Sequence, residues 1–155
     1  MKEESPKLVI GIGLIINHLG EILIDQRKNN QSMAGMWEFP GGKQEEGELI
    51  EVTIRRELYE ELGVQVKVEK KLIEFDHCYT HKKLHFVVHI CKIISGKPQP
   101  ISSCQIKWVL PSELASYPFP AANQHMISAL RQYLMLDKEN EVREVDIWSI
   151  FSFKE

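Results

Sequence analysis

Apolar residues along this chain follow two different spacings, and each predicts a different kind of element. Lys7 to Ile16, "KLVIGIGLII", is a nearly unbroken run of branched apolar side chains, which suits a buried strand. "NHLGE" reads as a turn into a second strand, "ILIDQ". Arg27 to Met36 is polar and small, a loop, and "MWEFPGG" closes on a Pro-Gly-Gly break. From Leu49 to Leu62 the spacing changes: Ile50, Ile54, Leu58 and Leu62 recur every fourth residue with no Gly or Pro between them. This predicts a helix of about four turns, ended by Gly63 as its C-cap. "VQVKVEKKLIEF" and "LHFVVHICKII" are strand-like, "SGKPQP" is a turn, "IKWVL" is a short strand and "PSELASY" a helical turn. "AANQHMISALRQYLML" places Met126, Ile127, Leu130 and Leu134 on one face of a second amphipathic helix. Strands before and after a central helix, with a further helix at the end, predict mixed α/β layers. One domain is expected over 1–136. A tail follows over 137–155, charged at first and then apolar enough to need a partner surface.

Composition narrows the possible partners. The 155 residues carry a net charge of −3, with 43% hydrophobic and 26% charged residues, as expected for one soluble domain with a sizeable core. That balance argues against broad electrostatic attraction to nucleic acid, although it leaves room for a local basic patch. The first apolar run is too short to cross a bilayer and lacks the basic flank of a signal peptide, so a cytoplasmic protein with no membrane contact is expected. Cys78, Cys91 and Cys104 are odd in number and widely spaced, which favours neither a disulfide framework nor a zinc ribbon. His77, Cys78 and His81 alternate along a strand without a fourth ligand, a weak basis for a metal site.

The candidate chemistry lies in "GGKQEEGELIEVTIRRELYEELGV", residues 41 to 64. Two carboxylates about 4 Å apart repel by roughly 4 kcal/mol at an effective dielectric near 20, so crowding them calls for a cation or strong screening. At 100° per residue, with Glu57 as zero, Glu60 falls at about −60° and Glu61 at about +40°. Ile54, Leu58 and Leu62 centre at about +100°. The three acids therefore share a face beside the buried stripe, within reach of the loop Gly41 to Gly47. Oxygen ligands grouped in this way suit a hard cation such as Mg²⁺ shared with phosphates. A solvated Glu/Arg helix with ordinary i,i+4 pairs, Arg56 to Glu60 among them, accounts for the charges equally well on clustering alone.

Spacing separates the two readings. From Gly42 the stretch runs five residues to Glu48, seven more to Arg56-Glu57-Leu58, then Glu60-Glu61 and Gly63-Val64. This resembles the signature of the Nudix hydrolases at every specified position. The resemblance implies an α/β/α sandwich with a mixed β-sheet and a loop–helix–loop motif. It also implies Mg²⁺-dependent cleavage, with Mn²⁺ as a possible substitute, of a nucleoside diphosphate linked to another group. By the family pattern, Glu57, Glu60 and Glu61 are the metal and base candidates, the Gly41 carbonyl is a further ligand, and Gly42, Glu48 and Arg56 are supporting residues.

Features outside the motif resemble the MutT-type branch, which hydrolyses oxidised purine nucleoside triphosphates. Phe39 and Lys43 stand in the matching places of "MAGMWEFPGGK", Arg27 sits where that branch has an arginine at the nucleotide site, and "YPFPAAN" brings Asn123 to the oxidised base. An asparagine amide offers a donor and an acceptor to the N7–H and O6 edge of 8-oxoguanine. Taken singly, Phe39 reads as core, Asn123 as a helix N-cap and Arg27 as a surface charge. That branch often brings one more glutamate from near the tryptophan before the last helix, but "ISSCQIKWVLPS" has no acid. Gln105 and Lys107 occupy the positions, and the general base falls to Glu57 or Glu60. "DHCYTHKKLHF" resembles a strand of the C-terminal domain of adenine-specific mismatch glycosylases, a Nudix-like module that recognises oxidised guanine without hydrolysing it. The expected activity is cleavage of 8-oxo-dGTP or related triphosphates to the monophosphate and pyrophosphate. The alternatives are a Nudix hydrolase of another nucleotide derivative and a non-catalytic binding module.

Overall fold

A computed structural model describes residues 7–79 and 81–152, with 137–152 described by their backbone alone. Seven strands form two sheets. β1 (Leu8–Ile15), β4 (Gly41–Lys43), β5 (Gln65–Tyr79) and β6 (Lys82–Ser95) make a four-stranded sheet in the order β4-β1-β6-β5. β2 (Ile22–Gln26), β3 (Trp37–Glu38) and β7 (Gln105–Val109) make a second, in the order β3-β2-β7. β1 runs parallel to β6, from Leu8 opposite Leu84 to Ile15 opposite Cys91, while the other pairs are antiparallel. The mixed sheet follows from the intervening helix α1 (Ile50–Leu62), which lets the chain return on the far side of the sheet.

The alternation in the strands divides the interior in two. Ile12 and Leu14 of β1 and Ile22 and Ile24 of β2 enter one core, together with Met126, Ile127 and Leu130 of α2 (Ala121–Ser152). Ile15 and Leu23 face the other way and meet Ile54, Leu58 and Leu62 of α1. Successive side chains of a strand point to opposite faces, so each strand serves both cores. Helices on both sides of the sheets give the α/β/α arrangement. Burying each large apolar side chain of α1 contributes about 1.5–3 kcal/mol.

α1 begins one residue after the sequence places it and ends as expected. Gly63 takes φ 73°, the left-handed conformation of a C-cap, and donates to the Tyr59 carbonyl at 2.9 Å. α2 departs from the sequence reading in length, because its backbone continues to Ser152. The boundary drawn after Leu136 falls within this helix, and the side chains beyond it lie outside the described residues. "PSELASY" forms a short 3₁₀ turn over Pro111–Ser116. Among the described residues, no helix is long and apolar enough to cross a membrane, and the three cysteines are free thiols.

Candidate active site

The loop before α1 is tied to the helix by one carboxylate. Glu48 lies just ahead of the first turn, and Oε1 accepts from the Thr53 hydroxyl at 2.6 Å and from the Glu45 amide at 3.2 Å. Both of its oxygens also receive the fork of Arg56, Nε to Oε2 at 2.8 Å and Nη2 to Oε1 at 3.0 Å. The Arg56 guanidinium and the Thr53 hydroxyl hold the Glu48 carboxyl down at about 2. Arg56 then reaches along its own helix, from Nη1 to Glu57 at 3.0 Å and to Glu60 at 3.3 Å, and Nη2 donates to the Lys43 carbonyl at 3.1 Å. One planar cation with several fixed donors thus sets the loop and two of the three helix acids.

The three acids diverge in their surroundings. Glu60 is exposed, with a side chain at 56% of its full accessibility, whereas Glu57 is at 16%. Gly42 packs directly against the Glu57 carboxylate: a Cβ added there would collide with both of its oxygens and its carboxyl carbon. Glu61 turns the other way and accepts from the Gly41 amide at 3.2 Å. Burial, reinforced by the neighbouring carboxylates of Asp25 and Glu57, pushes Glu61 up to about 9.

Sequence reasoning assigned no role to two further acids beside Glu61. Asp25 ends the apolar run of β2 and is only 7% exposed; burial first, and then the charge of Glu38, push it up to about 8. Glu38 lies opposite Asp25 on β3 and is raised by burial, with Arg27 opposing that rise. Arg27 donates to Glu38 at 3.0 Å and to the Ser32 carbonyl at 2.6 Å, so it braces the loop as well as facing the cavity. The available signal was a charge in the middle of "ILIDQ", on the same face as Leu23.

These groups line one cavity of about 450 Å³, within the range of small-molecule sites. Asp25, Arg27, Glu38, Gly41 and Glu61 are polar residues of its wall, and Phe39, Phe86, Met126 and Asn123 also line it. Asn123 sits in the first turn of α2, two residues beyond the helix start, and its side chain makes no hydrogen bond among the described residues. Phe39 is 2% exposed and stacks on Phe119 with ring centroids 5.3 Å apart, so it builds the core while bordering the cavity. Lys43 lies outside this cavity, and Glu57 and Glu60 are not among its lining residues. Gln105 pairs with Gln26 at 2.7 Å, and the Lys107 ammonium stands 5.4 Å from the ring centres of both Trp37 and Tyr117. Neither supplies an acid.

The donor set fits a hard divalent cation. Its acidic groups are all oxygen: the Glu61 carboxylate stands in the cavity wall, and Asp25 Oδ1 is buried there and lacks a hydrogen-bond partner among the described residues. Among the described residues no three His, Cys, Asp or Glu side chains converge on one point as a closed cage. A cation such as Mg²⁺ keeps several waters and takes one or two carboxylates together with substrate phosphates, so an open set suits it.

Comparison with known proteins gives the family. A family model described as "NUDIX domain" matches residues 11–129. The chain is 34% identical over 122 residues to an 8-oxo-dGTP diphosphatase of Haemophilus influenzae, covering 78% of this chain and 89% of that protein. It is 29% identical to a CTP pyrophosphohydrolase of Escherichia coli, over 81% of this chain and 94% of that one. A MutT NUDIX hydrolase of Burkholderia pseudomallei superposes with a TM-score of 0.72 at 25% identity, over 81% of this chain and 98% of that structure.

Proposed function

The chain belongs to the Nudix hydrolases, and from that premise we propose that it is a divalent-cation-dependent nucleoside triphosphate pyrophosphohydrolase. Its preferred substrates are oxidised purine nucleotides such as 8-oxo-dGTP, released as the monophosphate and pyrophosphate. This chemistry would keep oxidised bases out of DNA synthesis. The observation that carries the reading is the composition of one cavity wall. It joins Gly41 and Glu61, suited to a cation and phosphates, to Asn123 and Phe39, suited to a purine.

A bound cation, Mg²⁺ or Mn²⁺ in its place, supplies charge neutralisation at the phosphates and eases ionisation of water. Gly41, Glu57, Glu60 and Glu61 are its proposed ligands. In the reaction the oxygen of a water joins one phosphorus as the bridging P–O bond breaks, and a carboxylate takes the water's proton. Glu57 and Glu60 are the proposed acceptors, held in place by Arg56. Glu61, buried against the Gly41 amide, is assigned to the cation instead of the proton. Arg27, braced by Glu38, offers positive charge to the triphosphate, and Lys43 holds Arg56 through its backbone carbonyl. The Asn123 amide presents a donor and an acceptor to the base edge.

The test is pyrophosphate release from 8-oxo-dGTP, dGTP, CTP and a nucleotide sugar, with Mg²⁺ present or chelated. The expected result is the highest kcat/KM for 8-oxo-dGTP and loss of all turnover on chelation. The CTP pyrophosphohydrolase relative favours one competing reading, a pyrimidine substrate, which a higher kcat/KM for CTP would establish. Absence of turnover on every nucleotide would favour a module that only binds oxidised guanine.

A further inference from the structure

Asp25 stands where strand periodicity calls for an apolar residue. Leu23, two positions earlier on β2, packs with Ile54 and Leu58 of α1, so Asp25 points to the same side of the sheet. It is 7% exposed, it lines the cavity with Gly41 and Glu61, and Oδ1 is shielded from water with no hydrogen-bond partner. Arg27 eases it only through space, and among the described residues no cation bonds to it. Arg27, the nearest guanidinium along the strand, is spent on Glu38 and Ser32. Across the register on β7 lies Ile106, and the neighbouring Lys107 stands over the rings of Trp37 and Tyr117. A buried carboxylate oxygen without a donor, beside a second acid, is an expensive arrangement for a fold to keep unless something positive comes to it.

We propose that Asp25 of β2 is an additional ligand of the divalent cation assigned above to Glu61 of α1, whose cavity wall it shares. The proposal rests on the metal-dependent reading given above.

The experiment is titration of the full chain with Mn²⁺ alone, following free Mn²⁺ by electron paramagnetic resonance, for the wild type and Asp25→Asn. The variant should bind Mn²⁺ about 10-fold or more weakly. Without metal it should melt higher than the wild type, because the buried group no longer has to hold a proton that the unfolded chain releases, and Mn²⁺ should raise its Tm less. If Asp25→Asn fails to fold, Asp25→Ala takes the same measurements. Equal Mn²⁺ affinity and equal metal-induced Tm gain in wild type and variant would overturn the proposal. Nucleotide turnover by a wild type whose Mn²⁺ affinity is unchanged by Asp25→Asn overturns the role of Asp25 and leaves the enzyme reading standing. Weakened Mn²⁺ binding by the variant of a wild type that turns over no nucleotide overturns the enzyme reading and supports the ligand.

Discussion

Arg56 and Glu48 meet through two parallel hydrogen bonds, 2.8 and 3.0 Å long, across eight residues of chain. The same guanidinium carries Glu57 and Glu60, so the loop and two acids of α1 are set by one side chain. A lysine at 56 would keep the charge and lose the fork. Arg56→Lys is therefore expected to lower kcat by about 10–100-fold, the usual cost of removing a group that orients ligands. Steady-state kinetics at saturating Mg²⁺ check this; unchanged kcat would show that charge alone suffices.

Glu60 offers a clean test of the helix acids because its side chain is exposed and supports no core contact. Glu60→Gln changes charge without changing volume. Turnover should fall by about 100-fold or more, on the scale of losing a group that stabilises the transition state, while the circular dichroism spectrum and melting temperature stay as in the wild type. Retained activity would remove Glu60 from the mechanism.

Asn123 lines the cavity from the first turn of α2. A site that hydrogen-bonds a substrate edge rejects the analogue lacking it, because its own polar groups are left unpaired. Asn123→Ala should cut the ratio of kcat/KM for 8-oxo-dGTP over dGTP by about 10-fold or more. Equal losses on both nucleotides would mean that the residue serves only the first turn of the helix.

Metal-free stability should depend on pH through Asp25 and Glu61. Their carboxyls are raised from 3.8 to about 8 and from 4.5 to about 9, so the folded chain holds protons that the unfolded chain releases. Stability from this source is complete below the unfolded values and is lost as pH rises through about 8 to 9. Urea unfolding with chelator present should show a decline of at least about 1.4 kcal/mol between pH 5 and 9, the equivalent of one pKa unit. Mg²⁺ should reduce that decline. A flat profile without metal would place both carboxylates in a better solvated setting than the fold gives them.

The sequence made the fold legible wherever one period dominates. The four-residue spacing of Ile50, Ile54, Leu58 and Leu62 marked α1 and its buried face, and Gly63 its end, because local geometry alone sets both. The motif likewise announced Arg56, Glu57, Glu60 and Glu61, which one helix brings together. Asp25 and Glu38 stayed hidden because their meaning depends on register. Asp25 matters only once β2 lies beside β3 and turns toward Glu61, and pairing across a sheet leaves no mark at either position alone. The two short strands β3 and β4 were equally illegible, since two or three residues are too few to display alternation.

The contact between Gly42 and the Glu57 carboxylate ties the position of an acid to an uncharged residue of the motif. A single methyl group at 42 would evict the acid from its seat while leaving every ionisable residue in place. A mutational survey confined to acids and bases would pass over that position. The empty space of a hydrogen in place of a side chain thus sets where that carboxylate rests.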